Sequence, residues 1–146
     1  MNVYIGADHR GFEYKKTIIA ALKKTGHVVV DLGTHSKEPC DYPDVAKNVG
    51  ARVAKDSDSR GILVCMSGIG QTIAANKVKG VYAALCYNLE AAELSRRHNN
   101  ANVLVLSSKF IPEKDLPKIL DVWMTTPFEG GRHAARIAKI KKMECN

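Results

Sequence analysis

The chain has 146 residues, which suits one compact domain with a single hydrophobic core. Hydrophobic residues make up 45% of it and charged residues 25%, which is typical of a globular protein and excludes a disordered or fibrous one. The formal net charge of +7 favours anionic partners, such as nucleic acid, anionic membrane surfaces or phosphorylated metabolites. Aromatic residues are only 6% of the chain, which argues against a base-stacking surface for nucleic acid.

Strand-like and helix-like segments alternate in order along the chain. Strands are predicted over residues 2–7, 28–30, 61–65, 81–86 and 103–106. Helices are predicted over residues 13–24, 44–55, 68–77, 89–97, 112–124 and about 131–143. Strict alternation indicates a parallel sheet with helices on both faces, joined by right-handed crossovers. We therefore predict one α/β domain over residues 1–146: a Rossmann-like, doubly wound five-stranded sheet in three α/β/α layers.

The chain shows no signal for a membrane or for secretion. Its longest apolar runs are far shorter than the roughly 20 residues that a spanning helix needs, so no membrane partner is predicted. The opening residues lack the pattern of a secretory signal, and we expect a cytoplasmic location. The cysteines form no CxxC pair, so reduced thiols are expected rather than a zinc finger or redox motif. They are Cys40, Cys65, Cys86 and Cys145.

Polar side chains gather near the ends of the predicted elements. In sheets of this kind, ligands bind beyond the carboxyl ends of the strands. Asp8 and His9 follow the first strand and Cys65 ends the third, while His98 and Asn99 close the fourth helix. We expect all of these residues to share one cleft. Histidine suits acid–base chemistry near neutral pH, although a lone histidine is often structural.

The segment 65–70 joins the third strand to its helix and contains two glycines. Glycine lets backbone N–H groups approach a ligand oxygen, which predicts an anion or oxyanion cradle; the alternative is a tight turn that needs glycine only for geometry. In this setting the Cys65 thiolate would be favoured electrostatically, whereas a buried cysteine elsewhere is inert. Ser67 is placed to bind the thiolate or a substrate hydroxyl, or to cap the helix. Neither a P-loop nor a dinucleotide motif is present.

A basic pair opens the last predicted helix. Arg132 and Arg136 stand four residues apart on one helical face, which suits a grip on phosphate; the alternative is a solvated basic face. His9, His98 and His133 show no compact ligand spacing, so no metal site is predicted.

Five motifs spread over nearly the whole chain are together far more specific than any one of them. They are Ile5-Gly6-Ala7-Asp8-His9-Arg10-Gly11-Phe12, Cys40-Asp41-Tyr42-Pro43-Asp44, Cys65-Met66-Ser67-Gly68-Ile69-Gly70, Arg97-His98-Asn99-Asn100-Ala101-Asn102-Val103 and Phe128-Glu129-Gly130-Gly131-Arg132-His133. In this order and spacing they resemble the ribose-5-phosphate isomerase B family. The resemblance implies interconversion of D-ribose 5-phosphate and D-ribulose 5-phosphate through a cis-enediol, without metal or cofactor, in the non-oxidative pentose phosphate pathway. It also implies a homodimer, or a tetramer of paired dimers, with sites shared between subunits.

The same resemblance implies catalytic roles for several residues. Cys65 matches the family's base, which moves a proton between C1 and C2, and Ser67 keeps a hydroxyl where threonine is commoner. His98 matches the acid–base group that opens the sugar ring, Asp8 its partner at the ring hydroxyls, and Asn99 a ligand of the sugar oxygens. Backbone N–H groups of the cradle would stabilise the enediolate oxygen. The cradle residues are Met66, Gly68, Ile69 and Gly70.

Other residues would bind substrate if the resemblance holds. His9, Arg132 and Arg136 look like phosphate ligands, with the arginines donated by the other subunit. Tyr42 would line the site, and Lys109 stands where arginine is commoner, assisting as a point charge. Met66 replaces a commoner glycine and adds bulk beside the cradle, which leaves the preferred sugar size open.

Two other functions stay open at this point. A related isomerase would act on a six-carbon sugar phosphate, such as allose 6-phosphate or galactose 6-phosphate. A non-catalytic module would instead bind phosphate or nucleic acid with strong salt dependence and no turnover. The resemblance favours a small sugar phosphate as partner over nucleic acid.

Overall fold

The structure, a computed structural model, describes residues 1–144. The strands are β1 (Asn2–Ala7), β2 (Val28–Asp31), β3 (Arg60–Cys65), β4 (Ala83–Leu85) and β5 (Val103–Ser107). The helices are α1 (Phe12–Lys24), α2 (Tyr42–Lys55), α3 (Ile69–Ala75), α4 (Leu89–Arg97), α5 (Leu116–Thr125) and α6 (Arg132–Met143). All strand pairs are parallel, in the order β2-β1-β3-β5-β4. The Rossmann-like α/β prediction is confirmed.

The sheet divides the hydrophobic interior into two cores, one on each face, where the chain length predicted a single core. Alternate residues of a strand point to opposite faces, so Ile62 and Val64 join one core while Leu63 joins the other. Helices α1, α4 and α5 complete the first core, and α2 and α3 complete the second. Burial on both faces explains why β3 and β5 are continuous apolar runs without alternation.

Strand β4 is shorter than its apolar run of residues 81–86 predicts. The Tyr82 carbonyl accepts the N–H groups of Asn102 and Val103, and the Asn102 side chain bonds both the Tyr82 N–H and the Gly80 carbonyl. These bonds replace a regular ladder ahead of Ala83. The predicted helix 112–124 similarly begins as a 3₁₀ turn, Glu113–Asp115, before α5 takes over with a proline in its first turn.

Helix α6 lies along the amino edge of the sheet, the edge where the strands begin. Near its start, the Glu129 N–H donates to the carbonyl of Arg97 at the end of α4 (2.9 Å). Just beyond its end, the Glu144 carboxylate accepts the N–H of Gly80, which precedes β4 (3.1 Å). Its observed bounds match the prediction of about 131–143. Among residues 1–144, no helix combines the length and apolarity needed to cross a bilayer.

Candidate active site

Asp8, Cys65 and Ser107 lie side by side at the carboxyl edge of the sheet. The register pairs Ala7 with Val64 and Cys65 with Ser107, so Asp8, just past β1, lies beside Cys65. The chain first adds β2 on one side of β1 and then returns to add β3, β5 and β4 on the other side. The strand order therefore reverses between β1 and β3. Such a reversal opens a crevice at the carboxyl edge, where open α/β sheets bind ligands.

The turn after β1 fixes the orientation of the Asp8 carboxylate. Its Oδ1 accepts the backbone N–H groups of Arg10 (2.9 Å) and Gly11 (3.0 Å). A Cβ at Gly11 would lie 2.3 Å from the carbonyl oxygen of Val64, so only glycine lets this turn press against β3. Asp8 is therefore held, almost fully buried, against the end of β3.

The Cys65 thiol occupies the centre of this edge and is 5% exposed. Its Sγ accepts the Gly68 N–H at 3.1 Å. Burial nevertheless raises the pKa of the thiol, the Gly68 N–H only partly offsets this effect, and the nearby Asp8 charge raises the pKa further. The backbone N–H groups thus favour the thiolate as expected, but desolvation outweighs them and the pKa of the thiol is raised overall. Once ionised, this thiolate is a stronger base than an exposed one.

The loop after Cys65 needs glycine at two positions. Gly68 has φ +85°, and a Cβ there would lie 2.4 Å from Leu85 Cδ1. A Cβ at Gly70 would lie 2.6 Å from the Tyr42 ring, which therefore packs directly on the loop. The Ser67 hydroxyl accepts the N–H of the residue two positions on (3.3 Å). Glycine is therefore required at both positions by the geometry and packing of the turn.

Two further predicted ligands stand at the rim of the same edge. The Lys109 N–H donates to the carbonyl of Met66 (3.1 Å), and both side chains are exposed. His9 Nδ1 accepts the N–H of Cys40 at 3.4 Å. The thiols of Cys40, Cys65 and Cys86 are free, and Cys145 lies outside the described residues.

His98 and Asn99 lie at the opposite edge. Helix α4 runs back along the sheet and ends just ahead of Val103, which pairs with Gly61 at the start of β3. Cys65 is four residues further along β3, about 13 Å away at the usual rise of an extended strand. The expectation that one chain brings these residues into one cleft is therefore wrong. A helix that links parallel strands must return to the amino edge before the next strand begins.

His98 stacks face to face on His133, the second residue of α6. The ring centroids are 4.2 Å apart with 8° between their planes, and His98 Nε2 lies 3.8 Å from a Glu129 carboxylate oxygen. His133 is buried, and its pKa is lowered by burial and by the neighbouring charges of His98 and Arg132. Sequence spacing could not show this contact, because the pair comes from two helices 35 positions apart.

His98, Glu129 and His133 also form a cluster of potential metal ligands, which the sequence did not reveal. One ligand atom from each of His98, Glu129 and His133 lies within 4.8 Å of the others. The lone pair of an imidazole nitrogen lies in the plane of its ring. Two nearly parallel stacked rings therefore do not aim their nitrogens at one ion about 2.1 Å from each. We interpret the group as a stacked histidine pair next to a carboxylate.

A buried arginine that the sequence analysis overlooked supports the turn after α4. Arg96 Nη1 donates to the Asn100 side chain (3.1 Å) and to the carbonyl of Ala101 (2.5 Å). Burial lowers the pKa of Arg96 to about 10, so it stays charged at neutral pH. Asn100 has φ +49°, the left-handed conformation that asparagine tolerates. Arg96 thereby fixes the backbone that carries His98 and Asn99.

The two arginines of α6 complete the amino-edge group. Arg132 and Arg136 are exposed and flank the buried His133 along the first turns of the helix. Predicted site residues are thus divided between two edges. The carboxyl edge holds Asp8, His9, Tyr42, Cys65, Met66, Ser67, Gly68, Ile69, Gly70 and Lys109. The amino edge holds His98, Asn99, Arg132 and Arg136.

Comparison with known proteins yields one consistent family. The model of the Ribose/Galactose Isomerase family matches residues 3–140. A "probable ribose-5-phosphate isomerase B" of Mycoplasma genitalium is 48% identical over 145 residues, covering 98% of this chain and 95% of the relative. Ribose-5-phosphate isomerase B of Escherichia coli K12 is 41% identical over 142 residues, covering 97% and 95%. A crystal structure of the M. genitalium ribose-5-phosphate isomerase B with bound ribulose-5-phosphate has a TM-score of 0.96 at 47% identity, covering 99% of this chain and 97% of that one.

Proposed function

The chain belongs to the ribose/galactose isomerase family, and we propose that it interconverts D-ribose 5-phosphate and D-ribulose 5-phosphate. The observation that carries this proposal is the match over nearly the whole chain to an isomerase solved with ribulose-5-phosphate. The chemistry at the carboxyl edge supports it, because a buried thiol lies among backbone N–H groups beside a fixed carboxylate. The reaction class is aldose–ketose isomerisation of a sugar phosphate.

The proposed base is the Cys65 thiolate. It removes the proton from C2 of the open-chain aldose, which leaves a cis-enediolate with its negative charge on O1. A proton then moves from O2 to O1, and the thiol returns its proton to C1 to give the ketose with its carbonyl at C2. Backbone N–H groups of the cradle, with the Ser67 hydroxyl, stabilise the oxygen on which negative charge develops. The step needs the thiolate form of Cys65, which the Gly68 N–H favours against the burial that raises the pKa of the thiol. Because the base must stay reduced, we place the reaction in the cytoplasm.

We further propose that two copies of the chain form each site. Ring opening needs His98 near the sugar that Cys65 deprotonates, but in one chain the two lie at opposite edges of the sheet. A second copy whose amino edge covers the first copy's carboxyl edge brings the two groups together. Asn99 then reaches the sugar oxygens, and Arg132 and Arg136 reach the phosphate from the opposite side to His9.

Exposed apolar side chains support this arrangement. Several surround the carboxyl edge, where a monomer would leave them in water. They are Tyr42, Met66, Ile69, Ile73, Tyr87 and Phe110. On α6, Ile140 and Met143 are exposed as well. We therefore propose a homodimer in which residues 1–146 form one domain and α6 reaches the partner's site.

The experiment that tests the function is an assay of purified protein with ribose 5-phosphate, run beside Cys65→Ala. We expect turnover by the wild type and a loss of at least about 100-fold in the variant, because a general base contributes that much. Allose 6-phosphate and galactose 6-phosphate are assayed in parallel, since the family description names galactose too. Folded wild-type protein that turns over only a six-carbon substrate would replace the proposed substrate.

A further inference from the structure

One peptide group beside the thiol is hydrogen-bonded at both of its ends. The Ser67 carbonyl accepts the hydroxyl of Tyr87 at 3.0 Å. The Gly68 N–H, which belongs to the same peptide group, donates to Cys65 Sγ at 3.1 Å. A trans peptide is planar, and its C=O and N–H point in opposite directions. The Tyr87 hydroxyl and the reacting sulfur therefore hold the two opposite sides of a single peptide.

The backbone on both sides of Tyr87 is fixed by the fold. The Cys86 N–H donates to the Val105 carbonyl at 3.1 Å, which continues the pairing of β4 with β5. Asn88 caps α4 with its side chain. The Tyr87 ring meets the Phe110 ring edge-on, with 5.6 Å between centroids and 62° between planes. The hydroxyl is thus positioned by β4, α4 and a ring contact, independently of the loop 65–70.

We propose that Tyr87 is a positioning residue, which holds the Ser67–Gly68 peptide so that its N–H faces the Cys65 sulfur. The peptide needs such support because Gly68, with φ +85°, has the backbone freedom of glycine. Hydrogen bonds in series also polarise one another, so donation to the carbonyl makes the N–H a stronger donor. The contribution of Tyr87 to turnover rests on the proposed function, whereas its effect on the thiol does not.

The sulfur depends on this N–H because it has little other support for a negative charge. Cys65 is 5% exposed, so water solvates its thiolate poorly. Asp8, beyond the end of β1, is the charged group that acts on the sulfur, and it opposes the thiolate. An N–H donates more strongly to a charged acceptor than to a neutral one. Loss of the Tyr87 hydroxyl should therefore lower the fraction of thiolate at a given pH.

The test compares wild type with Tyr87→Phe, which removes the hydroxyl and keeps the ring and its contact with Phe110. Alkylation of Cys65 by iodoacetamide at pH 8, measured by peptide mass spectrometry, should slow about threefold, as expected for one weakened hydrogen bond. The kcat for ribose 5-phosphate should fall by a similar factor, with KM within about twofold. A loop that was merely loosened would expose the sulfur and speed alkylation instead. Unchanged or faster alkylation of Tyr87→Phe overturns the proposal.

Tyr14→Phe is the matched control. The Tyr14 hydroxyl also donates to a backbone carbonyl, that of Ile111 at 2.7 Å, which lies outside the loop 65–70. Its loss removes the same kind of bond, so Cys65 alkylation and kcat should stay within about 1.5-fold of wild type. Equal slowing of alkylation in Tyr14→Phe and Tyr87→Phe would assign the effect to a general loss of stability and overturn the proposal.

Alkylation and turnover separate this role from the proposed function. A folded wild type without turnover of ribose 5-phosphate overturns the proposed function, while slower alkylation of Tyr87→Phe would still support the positioning of the thiol. An active wild type whose Tyr87→Phe variant is alkylated at the wild-type rate overturns the role of Tyr87 alone.

Discussion

The two edges of the sheet contain different kinds of chemistry. At the carboxyl edge, Cys65 and Asp8 are buried and held by backbone N–H groups, so the geometry comes from the main chain. At the amino edge, Arg132 and Arg136 are exposed side chains on a helix that lies outside both hydrophobic cores. The comparison teaches that, under the proposed mechanism, the buried edge suits a proton transfer that excludes water. The exposed edge suits the binding of a mobile anion.

The largest expected effect tests whether the two edges come from different copies. Cys65→Ala and His98→Ala should each lose at least about 100-fold in turnover. When the two are mixed and their subunits exchanged, half of the dimers are mixed and each holds one intact site. Activity should then recover to about one quarter of wild type.

The control for that mixture combines two variants of the same edge, Cys65→Ala and Asp8→Ala. In their mixed dimers both sites carry a defect at the carboxyl edge, so no activity should return. If the first mixture also stays inactive after subunit exchange is verified by mass spectrometry, the shared site is wrong.

A smaller effect is predicted for phosphate binding by the arginines of the amino edge. Arg132→Ala and Arg136→Ala should each raise KM for ribose 5-phosphate roughly 10- to 100-fold, because each removes a charge-assisted hydrogen bond. Lys139→Ala, an exposed cation further along α6, is the control and should change KM less than twofold. An unchanged KM in both arginine variants would mean that α6 carries only a solvated basic face.

The pH dependence of Cys65 alkylation tests the electrostatics of the carboxyl edge. Alkylation of Cys65 by iodoacetamide, followed by peptide mass spectrometry, should rise about tenfold per pH unit without levelling below the ordinary thiol value of 9.0, because burial raises the pKa. The ionised Asp8 opposes the thiolate, so Asp8→Asn should lower that pKa and speed alkylation at pH 8 roughly threefold. A plateau near pH 7 would show instead that the backbone N–H groups outweigh burial.

The smallest predicted effect comes from a comparison of two glycines whose φ angles lie in the left-handed region. Gly130 has φ +71° and Gly26 has φ +81°, and a Cβ at either meets no atom within 4 Å. Alanine at each should cost about 1 kcal/mol of unfolding free energy from backbone strain, measured with urea. Only Gly130→Ala should also lower activity, by about two- to fivefold, because Gly130 precedes α6. Equal activity in both variants would uncouple the start of α6 from catalysis.

The sequence by itself determined the order of strands and helices. Strands β3 and β5 are buried on both faces and therefore appear as apolar runs, and glycines and polar segments mark where these runs end. It also supplied the candidate groups of the proposed site, because Cys65, His98 and the α6 arginines stand in recognisable motifs. Element ends were less predictable. The bonds of Asn102 that shorten β4 join segments about 20 residues apart, which local patterns do not report.

Only the tertiary structure decided which of these groups meet. His98 follows a helix that returns to the amino edge, so its distance from Cys65 depends on the direction of α4 against the sheet. The stacking of His98 on His133 depends on how helices pack, and the desolvation that raises the Cys65 pKa depends on everything packed around it. Distance and burial are properties of the folded arrangement, whereas residue type and periodicity are written along the chain.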